Sequence, residues 1–380
     1  MKALDVWPAL PISIQSELNH KDGDGIISAL EEHRDRIARV DLSGLTGPQL
    51  EKCAALMKEP FLVLRTLSLG SDGCVCLPPG DLSGGPASHL QMLKLSNNPF
   101  TALPNLPLSA SSLVELHFAH HSSTGYISPD AMATCMSMLT RLRFVRIIFR
   151  YGGSFLKHRT NRCSTPLTRS VLPALASLEF EGDSEYLEEL IARIDAPHLV
   201  RLSLIFFYQA VFDAPQQFRF IHDSEIFKSP LLSTVEVSPQ GIEVTMLSSR
   251  DDYLFLKTHC SGLDTQLSWA RQICTQLLPL LFHIDELHLW SDYDTQLHRQ
   301  DSMLWLEILS LFSDVLVVSA CGGGLEVDIA RVLGGLPGER AIEMLPMLQS
   351  LELGRFDDVK PLLKPFIDAR QLSDHPVVVC

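Results

Sequence analysis

The feature that most limits what this chain can fold into is a spacing of large apolar residues, L-x-x-L-x-L, that returns along its length. Leu64, Leu67 and Leu69 show it, followed by Leu90, Leu93 and Leu95, and by Leu113, Leu116 and Phe118. Leu142, Val145 and Ile147 continue it, then Leu175, Leu178 and Phe180, and Leu199, Leu202 and Leu204. Leu232, Val235 and Val237 come next, then Ile284, Leu287 and Leu289, and finally Leu348, Leu351 and Leu353. Ile37, Val40 and Leu42 make a first member, and Val315 with Val318 a degenerate one. The last two apolar positions of each set are two residues apart, so on a strand they face one side. Burying each is worth about 1.5–3 kcal/mol. A lone strand cannot bury them, so the copies must stack.

Between the copies lie stretches with helical spacing, at 46–57, 128–138, 184–194, 267–280, 301–311 and 325–333. Strand then helix, repeated, dictates parallel strands joined by right-handed crossovers. The period runs from about 23 to about 35 residues with one longer gap, looser than the roughly 20–29 of regular leucine-rich repeats. The Asn or Cys that should follow each strand is mostly absent; Asn97 and Asn98 come nearest. The expected fold is therefore α/β, an irregular leucine-rich-repeat-like solenoid whose curved parallel sheet carries its helices outside. Two strand-like runs in the long gap, 242–247 and 253–257, flank a polar turn at 248–252. They read as an inserted β-hairpin at about 241–259, the competing reading being two degraded repeats. The expected organisation is a capping segment at 1–35, the solenoid at 36–370 and a tail at 371–380.

The net charge of −14 repels phosphate backbones, so nucleic acid is not an expected partner. The densest basic stretch, Lys157, His158, Arg159, Arg162 and Arg169, has no interleaved aromatics and reads as a solvated loop. The longest apolar runs, 277–282 and 315–321, fall far short of the about 20 residues that span a bilayer, so no membrane association is expected. Of nine cysteines only Cys74 and Cys76 lie close together, without a second pair to complete a zinc set. Scattered free thiols and the lack of a signal-peptide core predict a cytoplasmic or nuclear protein.

Three motifs suggest chemistry and fail on their details. Asp22, Asp24, Gly25 and Glu31 mimic a calcium loop, but its first ligand would be His20, a nitrogen donor. Cys321-Gly322-Gly323-Gly324 stands between a strand and a helix, in phosphate-cradle order, yet no Lys-Ser/Thr follows. It reads as a strand-to-helix turn. His283 and His288 fall on opposite faces of one strand and cannot share a metal. No catalytic residue, cofactor or metal is expected, and the chain is not expected to be an enzyme.

Several stretches point to a family. WPALPI at 7–12, TGYISPDAM at 124–132, PLTRSVLPAL at 166–175, SEYLEELIARIDAP at 184–197 and ARQLSDHP at 369–376 run in order over nearly the whole chain. With them the chain resembles the C-terminal leucine-rich-repeat region of the F-box proteins abundant in mushroom-forming fungi. That resemblance implies a substrate-recognition role in a cullin ubiquitin ligase. The F-box itself, the helical module that docks the Skp adaptor, is not found here; Leu10-Pro11 with Glu17-Leu18 is too little of one. Skp adaptor and cullin are expected partners only if an F-box exists outside this chain. The expected function is a non-enzymatic protein-interaction module for a partner of unknown identity. The alternatives are a free-standing repeat scaffold without a ubiquitin link and, more remotely, an enzyme with an unrecognised site.

The residues flanking each buried pair should point out of the concave side. Most are polar, such as Thr66, Ser68, Lys94, Glu115 and His117. Phe144, Ile148 and Trp290 are large apolar exceptions that gain by being covered. Phe144, Arg146, Ile148, His288 and Trp290 are the expected protein-binding residues. The alternative is that the hairpin, or loop 151–165, covers them internally.

Overall fold

The structure is a computed structural model. The residues it describes are 10–17, 23–57, 59–71, 89–97, 111–120, 127–149, 169–207, 215–223, 230–238, 241–248, 253–260, 263–278, 284–291, 299–322, 324–354 and 356–380. Contacts divide the chain into two units, Met1–Leu199 and Val200–Cys380, where the sequence suggested one array from 36 to 370.

In the first unit the elements are β1 (Ile12–Glu17), α1 (Gly23–Glu32), β2 (Ile37–Leu45), α2 (Gly47–Leu56), β3 (Thr66–Ser71), β4 (Met92–Ser96), β5 (Glu115–His120), α3 (Pro129–Met138), β6 (Phe144–Phe149), β7 (Ser170–Val171), β8 (Ser177–Gly182), α4 (Ser184–Ile191) and β9 (Ile194–Asp195). Strands β1 to β6 and then β8 pair in chain order, all parallel. β7 and β9 form a separate parallel pair. The apolar spacing sets the register: Val40, Leu67, Leu93, Leu116, Val145 and Leu178 are partners from strand to strand and are all buried. Leu42, Leu69, Leu95, Phe118, Ile147 and Phe180 make a second buried row. A one-residue slip would turn both rows to solvent, so the register is strongly specified.

Local chemistry starts the helices where the spacing says they should start. Thr46 and Gln49 form a reciprocal capping box at α2, whose second helical residue is Pro48. The Ser128 hydroxyl accepts from the Ala131 amide at 3.2 Å to cap α3, with Pro129 as its first residue. Asn97 lies in the left-handed region at φ 58° and donates its side-chain amide to the Ser71 carbonyl at 3.1 Å, tying the end of β4 to β3.

The second unit holds β10 (Arg201–Phe207), α5 (Pro215–Asp223), β11 (Pro230–Ser238), β12 (Gly241–Ser248), β13 (Tyr253–His259), α6 (Leu263–Gln276), β14 (Glu286–Ser291), α7 (Arg299–Leu309), β15 (Val317–Cys321), α8 (Leu325–Gly334), α9 (Gly338–Glu343), β16 (Ser350–Leu353), α10 (Phe356–Leu372) and β17 (Val378–Val379). Its strand order is β10-β13-β12-β11-β14-β15-β16-β17. The two strands expected in the long gap are present as β12 and β13. They are not an appendage, because they sit in the sheet between β10 and β11. β12 is antiparallel to both its neighbours, so the expectation of a wholly parallel sheet is wrong at this one strand. Alternation along a strand records which face is buried and carries no direction.

Three further differences have local causes. Leu232 is only half-buried, because β11 begins early enough to place it on the face opposite buried Ser233 and Val235. Helix α10 is not foreseen by the sequence reading, since Pro361 and Pro365 lie inside it. Both prolines are exposed, while Val359, Leu363, Phe366 and Arg370 form its buried stripe. The supposed tail contributes β17, parallel to β16. The whole is a mixed α/β chain with mostly parallel strands and ten α-helices among the described residues. No described helix is long and apolar enough to cross a membrane.

Candidate functional site

Alternation places the residues between the buried leucines on the other face of the first unit's sheet. Two cross-strand rows result. One runs Arg39, Thr66, Met92, Glu115, Phe144 and Ser177; the next runs Asp41, Ser68, Lys94, His117, Arg146 and Glu179. Beyond Lys94 and His117 the third row is small, with Gly70, Ser96 and Ala119. The long polar side chains and the small row together shape an open groove of about 460 Å³.

Most charges on this face come in pairs. Arg39 Nη2 meets Asp41 at 3.2 Å, and Arg146 Nε meets Glu179 at 3.2 Å. His117 Nε2 lies 3.4 Å from Glu115, and its ring is 4.9 Å from that of Phe144. Lys94, between Ser68 and His117, is exposed and has no ion pair among the described residues. Burial lowers the His117 pKa below its ordinary 6.5, against the opposing pull of Glu115, and Arg146 and Lys94 add to the lowering. The folded state thus disfavours the proton. His117 stabilises the fold above its unfolded pKa, and that contribution is lost as pH falls through the lower folded value. Urea midpoints taken from pH 7 down to pH 5 should therefore fall less for His117→Gln than for the natural chain. Parallel pH curves would refute this.

The expected binding residues divide between the two units. Arg146 lines the groove beside His117, and Phe144, outside the lining, packs its ring 4.9 Å from that of His117. Ile148 is in the groove wall but is only 6% exposed, because β6 ends in three consecutive buried residues, Ile147, Ile148 and Phe149. It is therefore not the exposed anchor expected. His288 and Trp290 are on β14 of the second unit, where His288 lies 3.6 Å from Glu286 and Trp290 is 40% exposed. Loop 151–165, expected as a cover, lies outside the described residues, as do Cys74, Cys76 and 157–168 of the basic stretch. Arg39 and Asp41 are groove residues that the sequence reading misses, although the Ile37, Val40 and Leu42 set places them by the same rule that finds Lys94.

The remaining motifs resolve locally. Asp24 and Glu31 stand seven residues apart on α1, about 10 Å along its axis, too far to share one ion. Asp24 instead pairs with Lys52 at 2.7 Å. At the glycine turn, Gly322 and Gly324 have φ of 89° and 81°. The Gly322 amide donates to the Glu326 carboxylate at 3.2 Å, so the chain's own acid occupies the place of an anion. No group of three or more His, Cys, Asp or Glu able to hold a metal occurs among the described residues.

Burial pushes the Cys53, Cys135 and Cys274 thiols up to about 12 and the Cys260 thiol up to about 11, the opposite of what a nucleophile needs. Cys321 and Cys380 are exposed. Under native conditions iodoacetamide should label these two at least about tenfold faster than the buried four, read site by site by mass spectrometry. Equal rates would contradict the packing described.

No family model and no curated protein matches this chain.

Proposed function

We propose that this chain is a non-enzymatic protein-recognition module, a leucine-rich-repeat-like solenoid that binds its partner on the sheet face. The observation that carries this reading is the groove of the first unit. Its charged side chains are preset by ion pairs along the face, and half-buried Phe144 sits beside Arg146. Aromatic residues and arginine dominate interface energetics, and preset side chains lose less entropy on binding. Trp290 of the second unit is exposed and is a separate candidate contact. The sequence resemblance suggests the setting, substrate recognition for a cullin ubiquitin ligase. The Skp adaptor would then enter through an F-box outside this chain.

Photo-crosslinking tests the reading. A benzophenone side chain at Phe144 should give protein adducts in native cells, whereas one at exposed Glu51 on α2 should give few. The triple variant Phe144→Ala, Arg146→Ala and Trp290→Ala should lose at least about tenfold in partner capture while keeping its fold. Equal adducts from both positions, or capture indifferent to the triple variant, would overturn it. Skp adaptor and cullin among the captured proteins would support the ligase setting; a partner captured reproducibly without them would remove it.

A further inference from the structure

The partner-binding reading leaves open what chemistry the groove selects, and one arrangement in it is otherwise hard to account for. Lys94, His117 and Arg146 are direct cross-strand partners on β4, β5 and β6. His117 disfavours its proton, so the fixed positive charges of this row are Lys94 and Arg146, two strands apart with His117 between them. Glu179 offsets Arg146 and Glu115 offsets His117, but Lys94 has no ion pair among the described residues. Beside Lys94 and His117 lie Ser96 and Ala119, which leave room for an incoming side chain.

We propose that this groove binds an acidic, extended segment of the partner protein, whose carboxylates lie on Lys94, His117 and Arg146. The inference rests on the protein-recognition reading above and adds the class of partner. Strands are about 4.8 Å apart, so the basic row spans about 10 Å; same-side residues of an extended peptide repeat every 6.8 Å or so, and two acidic side chains fit across it. A nucleic acid fits less well. Asp41 stands beyond Ser68 at one end of the row and Glu179 at the other, and the chain's net charge of −14 repels a continuous phosphate backbone. The groups facing His117 are Lys94 on β4, Phe144 and Arg146 on β6, and Glu115 on its own strand. Protonation of His117 therefore adds a positive charge at the centre of the row and should strengthen the hold on carboxylates.

The test uses the full chain and a short fluorescent peptide of alternating Ser and Glu, with Ser-Gln and Ser-Lys peptides as comparisons, read by anisotropy at low salt. The Ser-Glu peptide should bind at least about tenfold more tightly than either. Lys94→Glu should abolish that preference, and Lys94→Arg should keep it within about threefold. Because Lys94 is exposed, thermal melts should confirm that both variants fold. Lowering the pH from about 7.5 to about 5.5 should tighten binding several-fold, and His117→Gln should remove that response. Equal affinity for the Ser-Glu and Ser-Gln peptides, or no effect of Lys94→Glu, overturns the proposal. So does tighter binding of a single-stranded oligonucleotide or of inorganic phosphate in competition. If partner adducts still form from Phe144 while Lys94→Glu changes nothing, the acid preference fails and the protein-recognition reading survives. If no adducts form, the reading itself fails.

Discussion

Arg370→Ala should destabilise the second unit by about 3–5 kcal/mol, a large share of the roughly 5–15 kcal/mol that holds a typical fold together. Arg370 on α10 is 1% exposed, and all five of its N–H donors point at backbone carbonyls. Nε donates to His375, Nη1 to Met344 and Leu345, and Nη2 to Pro346 and Leu348, at 3.1–3.4 Å. Its guanidinium also lies 5.7 Å from the centre of the Phe366 ring. The turn it holds includes Leu345 at φ 54°, a conformation a side-chain-bearing residue adopts only when its surroundings impose it. Removing the guanidinium takes a donor from each of those carbonyls, Leu345 keeping only the Leu348 amide at 3.0 Å, and leaves the strained turn without its clamp. Arg370→Lys keeps the charge but offers three donors from a single point, so it should recover only part of the loss. Urea denaturation measures both, and a cost under about 1 kcal/mol for the alanine variant would show that the turn holds itself.

Gly334→Val should be nearly as damaging. Gly334 ends α8 where that helix meets α10, and a Cβ there would sit 1.8 Å from the Leu362 carbonyl oxygen and 2.9 Å from its carbon. The obstacle is backbone, so no rotamer change relieves it. The helices would have to separate, loosening Ile329 and Leu333 on one and Val359 and Leu363 on the other, all fully buried. We expect about 2–4 kcal/mol for Gly334→Ala and more for valine. Gly25, inside α1, is the matched control, because a methyl group added there would meet nothing within 4 Å. Gly25→Ala should stabilise by about 0.5–1 kcal/mol, because open space leaves only the helix propensity to count. If both glycines respond alike to alanine, close packing is not what Gly334 provides.

Much of the first unit is legible in the sequence because its register is written in leucine. Aligning the L-x-x-L-x-L sets puts Lys94, His117 and Arg146 in one column, and the structure makes them neighbours. Ile148 defeats the same rule because alternation assumes that one face stays open, while the end of β6 is buried on both sides. α10 escapes it because two prolines outweigh an apolar stripe when neither is known to face solvent. The role of Arg370 has no trace in the sequence at all: its acceptors are main-chain carbonyls, four of them 22–26 residues away, and a carbonyl has no signature there.

The placement of β13 beside β10 also sets a timing problem for a chain made from its N-terminus. Arg201 to Phe207 leave the ribosome about fifty residues ahead of Tyr253 to His259, the strand with which they pair. At about 5–20 residues per second, one edge of β10 waits roughly 3–10 seconds for its partner. That edge belongs to a strand ending Leu204-Ile205-Phe206-Phe207, the kind of apolar, unpaired backbone that recruits other nascent chains. A chain stopped before residue 253 should therefore aggregate or be held by chaperones, whereas one extended past His259 should be released from them.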